Sequence, residues 1–262
     1  MRDNRSEDFD LLRDAAQEAA RLALTYWGRS IEQGRKADGT AVTEADLAVD
    51  ALFAERLRGA RPGYGWLSEE SAEHEGRVQA RRVWIVDPID GTRAFIQGRD
   101  DWTVSAALVE DGAPVLAAVV NPVREETFEA RAGGGATLNG RRIRVSDRGR
   151  LDGSELLVPD SVLKNSRWRT PWPAIKPVWA NSILYRMALV ACGAADATFA
   201  LKPKWEWDVA AGALLVSEAG GVATEPGGAP LRFNSAEAKV RGFLASGPKL
   251  HQILLERMDE AL

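Results

Sequence analysis

Residues 84–95 read WIVDPIDGTRAF: an apolar run, two aspartates three positions apart, then a glycine and a threonine ahead of a second apolar stretch. The β-branched and aromatic residues Val83, Trp84, Ile85 and Val86 predict a buried strand. Asp87 then stands at the strand's carboxyl end, where open α/β sheets bind ligands. Two carboxylates held this close repel each other, so either one takes up a proton or a divalent cation lets both stay ionised. Pro88 and Gly91 fix a turn, and Gly91-Thr92 opens a short helix through Ile96. The free backbone N–H groups at such a helix start attract an anion such as phosphate.

Around this turn the composition is ordinary. The chain has 262 residues, is 45% hydrophobic and carries a formal charge of −4, which suits one large core or two packed subdomains. No apolar run approaches the roughly 18 residues of a membrane span, and the N-terminal MRDNRSEDFD lacks the apolar core of a signal peptide. A cytoplasmic protein without membrane contact is expected. Cys192 stands alone, which excludes an internal disulfide and a Cys-only zinc site, and His74 and His251 are equally sparse. The acidic balance argues against a nucleic-acid polymer as partner. Arg141, Arg142 and Arg144 alternate with Ile143 and Val145, as on a solvated edge strand.

The rest of the chain alternates helical and strand patterns. Ser6 can cap a helix bearing Phe9, Leu12, Ala16, Ala19, Ala23 and Trp27, ended by Gly28. After a polar loop with Lys36, Asp38 and Gly39, Thr43 to Asp46 start a second helix, which Arg61-Pro62-Gly63 breaks. Glu110-Asp111-Gly112 and Asn139-Gly140 mark two hairpins. Near Asp152 the character changes to short strands between longer helices, so residues 1–151 and 152–262 are expected to form two subdomains, the first with most of the acidic site residues. Helices are expected over residues 181–192 and 208–219, and a last one is capped by Ser246. Mixed strands and helices in one continuous chain predict a layered α/β or α+β fold.

Three further places offer acids without an obvious structural reason. Glu69 and Glu70 follow the short apolar run Gly65-Trp66-Leu67 and can sit at another strand end. Asp208 lies between Trp207 and a small-residue helix, where it is either a helix cap or a site residue. Asp46 is either the partner of Thr43 in a reciprocal cap or a member of the same acidic group.

Glu69-Glu70, then Asp87-Pro88-Ile89-Asp90-Gly91-Thr92 with Phe95, then Trp207-Asp208-Val209-Ala210-Ala211 with Glu218-Ala219-Gly220-Gly221 resembles the inositol monophosphatase family of metal-dependent, lithium-sensitive phosphatases. The likeness spans nearly the whole chain. It implies an α-β-α-β-α sandwich of the inositol monophosphatase/fructose-1,6-bisphosphatase type, a homodimer, and hydrolysis of a small phosphomonoester by direct attack of water. Carried over by motif, Glu69, Asp87 and the carbonyl of Ile89 would hold one Mg2+ and Asp87, Asp90 and Asp208 a second, with Glu69 sharing a loosely bound third. An all-oxygen, carboxylate-rich site suits such hard cations. Thr92 with Glu69 would orient the nucleophilic water, Gly91 and Thr92 would bind phosphate, and Lys36 and Asp46 would belong to a supporting loop.

Other mechanisms fit less well. Cys192 is followed by Gly193, Ala194 and Ala195, without the arginine a Cys-phosphatase needs, and neither histidine has a phosphohistidine setting. The aspartyl-phosphate signature Asp-x-Asp-Gly-Thr is one residue shorter than the segment from Asp87 to Thr92. For the substrate, the family's inositol-contacting glutamate has no counterpart in Ala197-Thr198-Phe199-Ala200-Leu201, while Lys202, Lys204 and Trp205 precede Asp208. Two ammoniums and a ring could hold a second phosphate and stack a base, with Asp90 and Asp208 also facing substrate. A 3′(2′),5′-bisphosphate nucleotide is therefore the leading expectation, ahead of inositol 1-phosphate, histidinol phosphate and fructose 1,6-bisphosphate. A metal- and phosphate-binding module without turnover is the alternative from another class.

Overall fold

The computed structural model describes residues 4–29, 33–35, 41–71, 76–164, 168 and 170–258. Lys36, Asp38, Gly39 and His74 lie outside the described residues.

Seven α-helices are described: α1 (Arg5–Tyr26), α2 (Glu44–Phe53), α3 (Thr92–Ile96), α4 (Asp160–Leu163), α5 (Ile183–Ala191), α6 (Ala210–Glu218) and α7 (Pro248–Met258). They alternate with two large sheets. The first has seven strands in the order Gly65–Ser68, Arg82–Asp90, Thr103–Glu110, Ala113–Asn121, Glu126–Arg131, Gly135–Leu138 and Arg141–Arg142. Only its first pair is parallel; the other neighbours are antiparallel. The second has five strands in the order Lys176–Pro177, Glu155–Leu156, Ala197–Ala200, Phe243–Ser246 and Val222–Thr224.

The period-2 alternation of the central strands sets the layers. Trp84, Val86, Ala106, Leu108 and Ala118 join Leu12, Ala16, Val49 and Phe53 of α1 and α2 in one core. Val83, Ile85, Ala107, Val109 and Ala117 face the other way, onto Leu184, Met187, Leu214 and Leu215 of α5 and α6. Phe243 and Ala245 close that second core from the far sheet. Leu156, Phe199 and Leu244 then face Leu250, Leu254 and Met258 of α7. The result is the expected α-β-α-β-α sandwich. Gly212 lets α5 and α6 meet closely, since a Cβ there would stand 2.6 Å from Met187 Sδ.

Both hairpins form as expected, with Asp111-Gly112 at φ 52° and 78° and Asn139-Gly140 at φ 50° and 75°. The Arg141–Arg142 strand is the exposed sheet edge. Ser6 is not the cap of α1: the helix starts two residues earlier than such a cap implies, at Arg5, and its cap position, Asn4, makes no side-chain capping bond. Among the described residues no helix is long and apolar enough to cross a membrane.

Candidate active site

The acids converge because two strand ends lie side by side. Gly65–Ser68 runs parallel to Arg82–Asp90, with Ser68 opposite Val86, so the chain leaves the first strand at Glu69 beside Asp87. The strand itself differs from expectation. It continues through Asp90 instead of turning at Asp87, and the ladder shifts register so that Asp87 opposes Ser105 and Asp90 opposes Thr103. Three steps on one strand therefore match two on its partner, which is a β-bulge. In a regular strand residues three apart point to opposite faces; the bulge brings Asp87 and Asp90 to one cavity.

That cavity, of about 250 Å3, is lined by Ala41, Glu69, Asp87, Ile89, Asp90, Gly91, Thr92, Arg93, Asn181 and Asp208. Every expected metal-binding residue is thus at one place. Both carboxylate oxygens of Asp87 are buried without a hydrogen-bond partner. Burial first, then the charges of Glu69, Asp90, Asp208 and Asp46, raise its pKa well above the usual carboxylate range. Burial, with Asp90 and Glu69 adding repulsion, pushes Asp208 up to about 8. Asp90 rises less, to about 6: burial lifts it, and bonds from Ser182 and Leu184 with the charge of Arg186 pull it back. An orphaned buried carboxylate among other acids is what a hard divalent cation would satisfy, so the donor set fits Mg2+. Among the described residues these side chains ring the cavity and are not drawn into a closed three-ligand cluster.

Gly91 supplies the sharp entry to α3. It caps that helix at φ 96°, and a Cβ would lie 3.2 Å from the Asp101 carbonyl and 3.3 Å from Ser182. Thr92 Oγ1 donates to the Ile89 carbonyl at 3.1 Å and reaches Asp46 Oδ1 at 3.4 Å. The two alternatives for Asp46 are both realised. Its Oδ2 accepts from Thr43 N at 2.7 Å and Thr43 Oγ1 at 2.6 Å, completing the capping box of α2, while Oδ1 faces Thr92. Asp208 is not a helix cap. The cap position of α6 is Val209, without a side-chain bond, which leaves the Asp208 carboxylate to the cavity.

Lys202 is exposed and Lys204 half-buried, and neither lines the cavity, although the Lys204 charge acts on Asp208. Trp205, expected to stack a base, is exposed and does not line the cavity. One ring face stacks on Trp207 at 4.8 Å and 11°, and the Lys239 ammonium sits 4.0 Å over the ring.

Sequence reasoning missed the wall contributed by residues 179–186. Ser182 caps α5 by accepting from Tyr185 N at 2.8 Å and donates its own proton to Asp90 Oδ2 at 2.6 Å. Leu184 N gives the same oxygen a second bond at 2.6 Å. Asp101 Oδ2 accepts from Asn181 N at 2.6 Å and its carbonyl accepts from Ser182 N at 3.2 Å, which anchors this wall. A serine before a helical pattern announces a cap, but nothing local tells that its hydroxyl also serves an acid 92 residues away.

The sequence profile of the inositol monophosphatase family matches residues 4–261. A protein of Xylella fastidiosa named Nus factor SuhB is 39% identical over 189 residues, covering 68% of this chain and 66% of the relative. An inositol-1-monophosphatase of Rhizobium meliloti is 36% identical over 217 residues, covering 79% and 81%. The solved structure of an inositol monophosphatase from Anabaena superposes with a TM-score of 0.82 at 27% identity, covering 99% of this chain and 98% of that one.

Proposed function

The chain belongs to the inositol monophosphatase family, whose members are Mg2+-using phosphoric monoester hydrolases, and on that premise we propose how its own residues hydrolyse a small phosphorylated metabolite. The observation that carries the proposal is Asp87, with two buried, unpartnered carboxylate oxygens on a floor shared with Glu69, Asp90 and Asp208. Glu69, Asp87 and the Ile89 carbonyl would hold one Mg2+, and Asp87, Asp90 and Asp208 a second. When bound, such ions polarise the phosphoryl oxygens, lower the pKa of a water and neutralise charge on the leaving oxygen. Gly91 and Thr92 receive the phosphate at the cavity wall. Thr92, held by Asp46, orients the attacking water together with Glu69. Ser182 and Leu184 hold Asp90 in one rotamer, so the floor is pre-organised before substrate arrives.

A non-catalytic binder has no use for a threonine held between Asp46 and the Ile89 carbonyl, which favours turnover. Inositol 1-phosphate is supported as substrate by the name of the Rhizobium meliloti relative. A 3′(2′),5′-bisphosphate nucleotide keeps one support from its first rationale, the closeness of Lys204 to Asp208. The test is phosphate release from inositol 1-phosphate, adenosine 3′,5′-bisphosphate, histidinol phosphate and fructose 1,6-bisphosphate, with and without Mg2+. Mg2+-dependent release that Asp90→Asn and Asp208→Asn each lower at least about a hundredfold is expected. Near wild-type rates in those variants would overturn the metal assignment.

A further inference from the structure

Glu206 stands two residues before Asp208, is fully buried at 0% exposure, and has no part in the mechanism above. Its carboxylate accepts three hydrogen bonds from a single turn. Oε2 takes one from Asn234 N at 2.6 Å, and Oε1 takes two, from Ser235 N at 2.8 Å and Ser235 Oγ at 2.6 Å. A glutamine cannot reproduce this arrangement. Whichever way its amide is turned, the NH2 group faces a backbone N–H, of Asn234 or of Ser235, where the carboxylate offers an acceptor. The backbone of the same residue builds the approach to Asp208. Glu206 N donates to the Ala238 carbonyl at 2.9 Å, next to the antiparallel pairing of Trp205 with Lys239. Its carbonyl accepts from Val209 N at 3.1 Å and Ala210 N at 2.9 Å at the entry to α6, while Asp208 N donates to the Trp205 carbonyl at 3.2 Å. Asp208 therefore sits in a tight turn that Glu206 anchors with both its backbone and its side chain.

The turn at Asn234 and Ser235 is also held by Arg77, which is buried. Arg77 Nη1 donates to Asn234 Oδ1 at 2.8 Å and Nη2 to the Ser235 carbonyl at 2.9 Å, and Asn234 Nδ2 donates to the Arg77 carbonyl at 3.1 Å. Arg77 begins the short 3-10 turn Arg77–Gln79, which lies in the connection between the strand that leads to Glu69 and the strand that carries Asp87 and Asp90. Strand pairing sets those three acids relative to one another. Asp208 comes from a distant part of the chain, and hydrogen bonds running from Arg77 through Asn234 and Ser235 to Glu206 tie its turn to the same sheet.

We propose that Glu206 is the positioning residue of Asp208: it fixes the turn that presents this acid to Mg2+ and so sets how tightly the cation is held. The inference rests on the assignment of Asp208 to a metal ion made above. The test is the Mg2+ concentration that gives half-maximal thermal stabilisation of the full chain, measured by differential scanning fluorimetry, with Tm in EDTA as the reference for the fold. Glu206→Gln raises that concentration about 10–100-fold, the range found when a group that orients a metal ligand is lost. Ser235→Ala, which removes one of the three bonds at a half-buried position outside the cavity, raises it by a smaller factor. In an Asp208→Asn background neither change raises it further, because the acid through which Glu206 acts is gone. The proposal is overturned if both variants lower Tm in EDTA yet keep the wild-type Mg2+ requirement, which is the behaviour of a clamp that serves only the fold. It is equally overturned if they raise the requirement by the same factor with and without the Asp208 carboxylate. Should Glu206→Gln not fold, Ser235→Ala alone carries both comparisons. A wild-type Mg2+ requirement in Asp208→Asn itself would instead bring down the metal assignment on which the proposal rests.

Discussion

Ser182 Oγ lies 2.6 Å from Asp90 Oδ2 and joins the cap of α5 to the bulged end of the central strand. The hydroxyl also accepts from Tyr185 N at 2.8 Å and lies 3.0 Å from Thr103 Oγ1, so it is saturated and cannot turn away. Ser182→Ala removes the helix cap and one of the two bonds that hold Asp90. A stability loss of about 1–3 kcal/mol is expected by urea unfolding, with kcat lowered roughly tenfold as Asp90 becomes mobile. Unchanged kcat would show that Leu184 N alone positions the carboxylate.

The acidic floor trades stability for function. In metal-free protein, Asp87→Asn removes a buried charge repelled by Glu69, Asp90, Asp208 and Asp46. The variant should melt higher than wild type in EDTA, lose at least about a hundredfold in activity, and lose the Mg2+-dependent rise in Tm. For wild type that rise corresponds to about 2.7 kcal/mol at a Mg2+ concentration a hundred times Kd. Differential scanning fluorimetry with and without Mg2+ separates these outcomes.

Protons compete with the cation at the same acids. Asp208 is pushed up to about 8 and Asp90 to about 6, so each must lose a proton before it binds metal. The Mg2+ concentration needed for half-maximal thermal stabilisation should rise as pH falls from 8 to 6. A constant requirement across that window would contradict the placement of Asp208 on the metal.

Thr92 is held on one side by the Ile89 carbonyl and on the other by Asp46. Thr92→Val keeps the shape and deletes the hydroxyl, and should lower kcat about a hundredfold with little change in Tm. Thr92→Ser restores most of the rate. If instead Thr92→Val keeps the wild-type kcat and Thr92→Ser loses it, the threonine methyl and not its hydroxyl matters.

His251 gives a pH dependence far from the site. Burial lowers its pKa from 6.5 to about 4, and its ring lies 3.0 Å from Thr224 Oγ1 and 3.3 Å from Ser246 Oγ. The unfolded chain takes up a proton near 6.5 that the folded one refuses until about 4. Stability from the neutral ring is therefore full above pH 6.5 and is lost as pH falls from 6.5 to about 4. Relative to His251→Gln, which does not titrate, the wild type should lose Tm across that window and show no relative change above it.

Much of the molecule was legible in the chain because it depends on neighbours close in sequence. The unbroken apolar run of Val83, Trp84, Ile85 and Val86 specifies a strand buried on both faces. Asp111-Gly112 and Asn139-Gly140 specify their hairpins through positive φ. Asp87, Asp90, Glu69 and Asp208 announced the acidic floor by their residue types and order.

The tertiary structure decided what depends on register and on distant contacts. The parallel pairing of Ser68 with Val86 sets Glu69 beside Asp87, and one extra residue in the ladder turns Asp87 and Asp90 to the same side. The bond from Ser182 to Asp90 spans 92 positions, and the stacking of Trp205 on Trp207 is equally absent from any local pattern. Arg186 reads in the sequence as one more helix residue, and only packing buries it against Trp179 with its charge acting on Asp90 and Asp208. Local periodicity carries no record of which face a bulge selects or which distant charges a fold brings together. Those features arise only when separate elements are packed together and desolvated as one.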